Sequence, residues 1–365
     1  MRREEKRTYF YVVILVAVLV TFGCIMVYSA SCYSAEYHFG NEYFFLFKQI
    51  LGAFVGFVMM ITLSFFDYHK IIKLRWLLFG SSIVLLILVF IPGIGTSSYG
   101  ASRWVSILGF SIQPSEIAKF VLVIMCAYYL SKHNDKVKTF KGLFPVLCIA
   151  GVLCILVILE PSMSVTMCLA FTTLFMLVVG GISKKHTVLL SIPAVLSVPA
   201  LILAEPYRMK RLFAFLNPWA SPQGEGFQLI QSLYSLGNGG WFGVGLFSSR
   251  QKYLFLPFAE SDFILSIIGE EFGLVGIILL ILTYLLLICF LIKVALNAPD
   301  RFGSLLASGV AFVIGIQTIL NIAVVSGSIP PTGLPLPFIS AGSTSLVVFM
   351  SAVGVVLNIS KQSRV

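Results

Sequence analysis

The chain has 365 residues, of which 58% are hydrophobic and only 11% charged. Soluble domains carry about 25% charge, so this composition excludes a soluble globular protein and points to the membrane. The net charge of +10 does not imply nucleic acid, because Lys and Arg fall in short clusters between apolar runs, the pattern that sets membrane orientation.

A membrane-crossing helix needs about 20 mostly apolar residues. Ten such runs are expected: 9–30, 46–66, 76–93, 115–131, 143–159, 162–182, 187–204, 263–292, 304–326 and 341–358. The first is already a full span, and no signal-peptide cleavage site is expected after it. The breaks at 159–162 and 182–187 are short, so spans five to seven are expected as tight hairpins. The predicted fold is an all-α integral membrane protein, a polytopic bundle of about ten transmembrane helices in one domain, 1–365. With the N-terminus cytoplasmic, segments 1–8, 67–75, 131–142, 183–186, 293–303 and 359–365 hold 17 of the 25 Lys and Arg residues. That bias places both termini inside. Ten of the 15 acidic residues fall outside or at outer span ends, which places any chemistry on the outer face. The largest outer loop, 205–262, lies between spans seven and eight. Loops this long are functional or disordered, and this one is too apolar for disorder. Two shorter outer loops cover 95–116 and 326–345. The seven Cys residues show neither a disulfide framework nor metal-type spacing.

The stretch "LPFAESDFILSIIGEE" (256–271) sets four carboxylates, Glu260, Asp262, Glu270 and Glu271, at the head of a long apolar run. Ionised groups at a membrane entrance are costly and mark function or specific pairing. Asp262 has two readings, an N-cap or an outward general base. The four His residues are His38, His69, His133 and His186. None lies in the large outer loop, so an outward base is expected to be a carboxylate. The run after Asp262 spans 30 residues, about 45 Å as helix against a core of about 30 Å. In a continuous helix Glu270 points about 80° and Glu271 about 180° from Asp262. Each therefore needs either a wet cavity or a partner on a neighbouring helix. Glu116 and Lys119, three apart, form either an internal ion pair or a wall facing an anionic substrate. Arg103, Arg208, Arg211, Arg250 and Lys252 are outward basic residues, suited to a lipid pyrophosphate or to anionic headgroups. "GNGGWFGVG" fits no nucleotide-binding loop and reads as close backbone packing or a turn. "PPTGLPLPF" reads as a rigid non-helical stretch, tolerated at this depth only against protein or a cavity.

Four segments together resemble the SEDS family (shape, elongation, division and sporulation), which includes FtsW, RodA and SpoVE. They are "RWVSILGFSIQPSEIAKF" (103–120), "RMKRLFAFLNPWASPQGEGFQLIQSL" (208–233), "LPFAESDFILSIIGEEFGLVG" (256–276) and "NIAVVSGSIPPTGLPLPFISAGSTS" (321–345). The resemblance implies a peptidoglycan glycosyltransferase that polymerises lipid II at the outer face of the bacterial cytoplasmic membrane. It would work with a class B penicillin-binding protein and other divisome or elongasome membrane proteins. The family's catalytic aspartate falls on Asp262, which would take the proton of an acceptor sugar hydroxyl in an inverting transfer. Substrate contacts are implied at Arg103, Glu116, Lys119, Arg208, Arg211, Gln228, Ser232, Lys252, Glu271, Asn321, Thr332 and Ser340. Lys119, Arg208 and Arg211 would steady the departing undecaprenyl pyrophosphate. No organic cofactor is implied. A divalent cation, Mg or Mn, suits phosphates beside carboxylates, although no ligand set is readable. The chain departs from the family pattern at Phe258, Glu260, Ser162 and Ser343. Other classes of function compatible with the charged outer ends are a flippase for the lipid-linked precursor and a non-catalytic scaffold for the transpeptidase. A flippase is disfavoured because transporters place charged sites near the bilayer midplane.

Overall fold

The computed structural model describes residues 3–98, 101–107, 110–203 and 205–363. Of the basic residues counted at the termini, Arg2 and Arg364 lie outside the described residues. The helices are α1 Arg3–Phe39, α2 Phe44–Phe65, α3 His69–Leu88, α4 Pro114–Lys132, α5 Phe140–Leu159, α6 Met163–Val179 and α7 Lys184–Leu203. They continue as α8 Pro206–Leu216, α9 Phe227–Gly239, α10 Ile264–Leu296, α11 Arg301–Val325 and α12 Ser343–Gln362. Helices dominate because lipid offers no hydrogen bonds, so a spanning segment must pair its backbone within itself.

Among the described residues eight helices are long and apolar enough to cross a membrane: α1 to α5 and α10 to α12. The sixth expected span is the shorter apolar helix α6, of 17 residues. The seventh, α7, has 20 residues but carries Pro193 and Pro199 inside it. The bundle is layered. Helices α4, α11 and α12 are mostly buried, whereas α3 and α10 turn most of their apolar surface outward. Phe54, Phe65, Trp76, Leu77 and Leu296 are among the large exposed side chains, the surface that lipid would cover.

One expectation needs correcting: the bundle is not purely helical. Segment 95–112 contains a three-stranded antiparallel sheet, β1 Gly95–Ser98, β2 Ala101–Ile107 and β3 Phe110–Ile112, in the order β1-β2-β3. Thr96 pairs with Trp104, and Val105 pairs with Ile112. The strands are short, so a search for apolar runs of span length passes over them. Val105-Ser106-Ile107 and Phe110-Ser111-Ile112 nonetheless alternate apolar with polar residues, a strand pattern. The long 205–262 loop is also structured, holding α8, α9 and a series of turns over 240–263.

Helix α10 does not run straight. Gly273 has φ 66° and ψ −167° and breaks it into two segments. A break in lipid would strand backbone groups, and here the "GNGGWFGVG" turn satisfies them. Leu274 N donates to Gly240 O (2.9 Å) and Val275 N to Trp241 O (3.1 Å). In return Val244 N donates to Glu270 O (2.9 Å) and Gly245 N to Glu271 O (3.0 Å). The close-packing reading of those glycines is thus what the fold displays.

Candidate active site

A cavity of about 1710 Å³ opens at the end of the bundle that carries the sheet, α8 and α9. Asp262 lines it from the turn that enters α10, Arg103 from β2, Arg208 and Arg211 from α8, and Gln228 from α9. Thr332 and Gly333 line it from the non-helical Pro-rich stretch. Lys252 also reaches the lining.

Asp262 is not an N-cap. Helix α10 starts at Ile264, its cap position is Phe263, and no side chain caps it. The backbone around Asp262 is instead clamped to two other segments. Asn321 Nδ2 on α11 donates to the carbonyls of Asp262 (2.9 Å) and Leu334 (2.8 Å). The Ser340 hydroxyl donates to Ser261 O and accepts from Leu336 N, and Ala341 N donates to Glu260 O (2.8 Å). Gln49 on α2 completes the clamp. Its Nε2 donates to the carbonyls of Ile339 and Ser340, and its Oε1 accepts from Gly342 N (3.3 Å). The main chain is thereby fixed while the carboxylate stays available to the cavity.

Electrostatics suit a base. Burial pushes the Asp262 carboxyl up to about 6; the Arg103 and Arg211 cations pull it down, and Glu260 pushes it up. Asp262 keeps some solvent exposure, but the walls around it are dense enough to strip most of its hydration. A carboxylate poised near the working pH has the proton affinity that general-base catalysis uses. Arg103 is anchored at the end of α5, where Nη2 donates to Pro161 O (2.6 Å) and Nε to Glu160 O (3.4 Å). Arg211 Nη1 donates to Pro331 O (3.2 Å), and its guanidinium lies 4.7 Å from the centre of the Tyr207 ring. The Thr332 hydroxyl has no hydrogen-bond partner among the described residues.

Six of the residues expected to touch substrate sit behind this wall: Glu116, Lys119, Ser232, Glu271, Asn321 and Ser340 are buried and outside the cavity lining. Glu116 and Lys119 make the internal ion pair (2.7 Å), closed by Gln317 on α11 and Ser345 on α12. Both charges are fully buried, and neither stands free for an anion. Ser232 joins α9 to α10 and α11 through Ser266 and Val325 O (2.8 Å each). Glu271 accepts from Ser29 of α1 (2.6 Å) and pairs with Lys252 (3.5 Å). Glu270 accepts from Ser249 and from Arg250 N and Gln251 N. Ser235 of α9 also donates to Glu270 (3.3 Å), so the partners of Glu270 lie in the chain before α10 and on α9, not in lipid. Asn321 and Ser340 act on the backbone beside Asp262, as described above.

Two residues were missed. Gln49 is a lone amide in an apolar run, and the cost of an unpaired amide in lipid was the signal that it must be bonded. Glu160 is fully buried, with neither carboxylate oxygen partnered among the described residues. Burial pushes it up to about 8, opposed by Arg103. A carboxylate between the apolar runs 143–159 and 162–182 is costly unless it has a function or a partner, and that was the signal.

The model of the FtsW/RodA/SpoVE family, described as cell cycle proteins, matches residues 9–365. The chain belongs to this family. A probable peptidoglycan glycosyltransferase FtsW of Geobacter sp. (strain M18) is 42% identical over 100% of this chain and 99% of its own length. Stage V sporulation protein E of Bacillus subtilis is 40% identical over 96% of each chain. Among solved structures, one described as "Structural coordination of polymerization and crosslinking by a peptidoglycan synthase complex" superposes with TM-score 0.79 at 27% identity, covering 96% of this chain and 97% of that one. The rod shape determining protein RodA of Thermus thermophilus shares the fold, with TM-score 0.70 at 24% identity over 97% of each chain. This FtsW/RodA/SpoVE-family chain is therefore a multi-pass protein of the bacterial inner membrane. Among the described residues no three His, Cys, Asp or Glu side chains are placed to hold a metal ion. A Mg ion commonly takes only one or two carboxylates and draws its other ligands from substrate phosphates and water.

Proposed function

We propose that this protein is a peptidoglycan glycosyltransferase that polymerises lipid II, with Asp262 as the general base. The observation that carries the reading is a clamped aspartate with a raised proton affinity on the wall of a large cavity, faced by arginines. The acceptor hydroxyl loses its proton to Asp262 as its oxygen attacks the anomeric carbon of the growing chain. Undecaprenyl pyrophosphate departs, and Arg103, Arg208 and Arg211 supply the positive field. A pyrophosphate is a good leaving group and needs no strong acid. A divalent cation, Mg or Mn, would enter with the pyrophosphate, and no protein group is assigned to it. The test is a gel of glycan strands made from lipid II by the purified full-length chain together with its transpeptidase. Glycan supports the reading; lipid II flipping in vesicles without glycan overturns it.

The partner is a class B penicillin-binding protein; polymerised strands need cross-linking, and one similar structure is described by those two activities together. The ten-span topology with both termini cytoplasmic puts α8, α9 and the cavity on the outer face. Glu225 is exposed between α8 and α9. In a background without the seven native Cys residues, Glu225→Cys is expected to react with an impermeant thiol reagent on intact spheroplasts. Labelling only after lysis would invert the topology.

Arg211 separates the two uses of positive charge. Attraction to headgroups is worth about 1 kcal/mol per residue and tolerates Lys, whereas a forked phosphate contact does not. Arg211→Lys and Arg208→Lys are each expected to lower kcat/KM for lipid II by roughly tenfold or more, about 1.4 kcal/mol. If both keep full activity, the α8 arginines serve only to attract lipid.

A further inference from the structure

Glu160 stands at the corner between α5 and α6, fully buried, with neither carboxyl oxygen bonded among the described residues. Its neighbours Ile158, Leu159 and Pro161 line the cavity, and Glu160 lies behind that wall. The same corner holds Arg103. The carbonyls of Glu160 and Pro161 accept from its Nε (3.4 Å) and Nη2 (2.6 Å). The third guanidinium nitrogen, Nη1, packs against Gly333 on the cavity wall, as does Asp262 Oδ2. Two carboxyl groups therefore act on Arg103, Asp262 in the cavity and Glu160 behind it.

The charge of Glu160 decides which of the two the guanidinium serves. A buried carboxylate with no hydrogen bond is expensive, so Glu160 keeps its proton near neutral pH. Burial pushes it up to about 8, and Arg103 is the charge that opposes this. The ionisable groups on neighbouring elements have other partners. Glu116 and Lys119 of α4 pair with each other, and Tyr207 and Arg211 of α8 act on Arg103 from its cavity side. A neutral Glu160 leaves the positive charge of Arg103 to Asp262 and to the pyrophosphate. An ionised Glu160, its proton lost to water, is a buried anion beside a cation. A charge-assisted bond from Arg103 is the way to satisfy it. On the glycosyltransferase reading, on which this inference rests, we propose that Glu160 is a positioning residue that works as a switch: protonated, it leaves Arg103 turned to the cavity; ionised, it draws the guanidinium back and shuts the site.

Glu160→Gln is the direct test, because Gln copies the neutral acid and cannot ionise. In the full-length chain with its transpeptidase, wild-type kcat/KM for lipid II should fall above about pH 8, to roughly a tenth of its plateau one unit higher. The Gln variant should hold its plateau there, with the acid limb near pH 6 that Asp262 sets left in place. A residue that only shapes the corner would change the rate at every pH and leave the alkaline fall as it was. Should the Gln variant fail to fold, Glu160→Met decides, since an apolar chain there removes an unpaired polar group and breaks no side-chain bond. If the wild type makes glycan but shows no alkaline fall, or the folded variant keeps that fall, the switch is wrong and the glycosyltransferase reading stands. Loss of the fold in both variants would make Glu160 a structural residue and also overturns the switch. If the wild type makes no glycan at any pH, the glycosyltransferase reading itself fails.

Discussion

Asp262→Asn is expected to abolish glycan synthesis, by a factor of about 10³ or more, while the protein unfolds at the same or a higher temperature. A positioned general base contributes about 10²–10⁴. Asn keeps the shape but cannot take a proton in the reacting range. The fold should survive, because the bonds from Asn321, Ser340 and Ala341 go to backbone carbonyls and use no part of the carboxylate. Stability should even rise. An unperturbed Asp titrates near 3.9, whereas burial pushes Asp262 up to about 6. The folded state therefore prefers the protonated form. Its stability is greatest below about pH 4 and declines as pH rises through about 6, and at neutral pH the ionised group costs up to about 3 kcal/mol. A neutral Asn removes that cost. In the wild type kcat/KM should fall as pH drops below about 6, because the base becomes protonated. A variant that polymerises at the wild-type rate ends the general-base assignment. Loss of activity together with a lower melting temperature would mean that Asp262 is structural.

A polytopic apolar helical bundle was legible because lipid imposes a length and a composition that short windows of sequence display. The candidate base was legible because an acidic residue before an apolar run is costly, and the His residues are placed elsewhere. Contact and support were not separable. Glu116 and Lys119 have the spacing of either an ion pair or an anion site, and only Gln317 and Ser345, far along the chain, decide for the pair. Asn321 and Ser340 carry ordinary amide and hydroxyl groups, and their function depends on carbonyls brought near by the fold. Gln49 works through three residues of the turn before α12, a relation that no local pattern records. The sheet escaped for another reason: its strands are too short and too polar to register beside spans of 20 apolar residues.

Gly273→Ala is expected to cost several kcal/mol and to release the turn that precedes Asp262. At φ 66° and ψ −167° a residue other than Gly pays about 1–3 kcal/mol in backbone strain. The Cβ would also stand 2.6 Å from Phe242 N and from Trp241 C, a clash with backbone that no rotamer relieves. The 240–245 turn must then lift away, taking with it the bonds to Leu274 N, Val275 N, Glu270 O and Glu271 O. That turn leads into residues 249–252, which neutralise or solvate Glu270 and Glu271. Two carboxylates in an apolar helix are tolerable only with those partners, since stripping one side of a buried pair costs about 3–5 kcal/mol. Gly237→Ala is the control, because its Cβ would meet nothing within 4 Å inside α9. It should be neutral or stabilise by up to about 1 kcal/mol. A Gly273→Ala melting temperature equal to the wild type, with residues 240–245 still resistant to protease, would show that α10 tolerates a straight path. In the broken form, the helix is a support with two jobs. Its first segment carries Asp262 at its head into the cavity, and the last turn of that segment holds the two glutamates that fix the preceding chain. With Asp262 as the proposed base, the carboxylates before and within this apolar run divide between chemistry and anchoring, and the break at Gly273 lets one helix serve both.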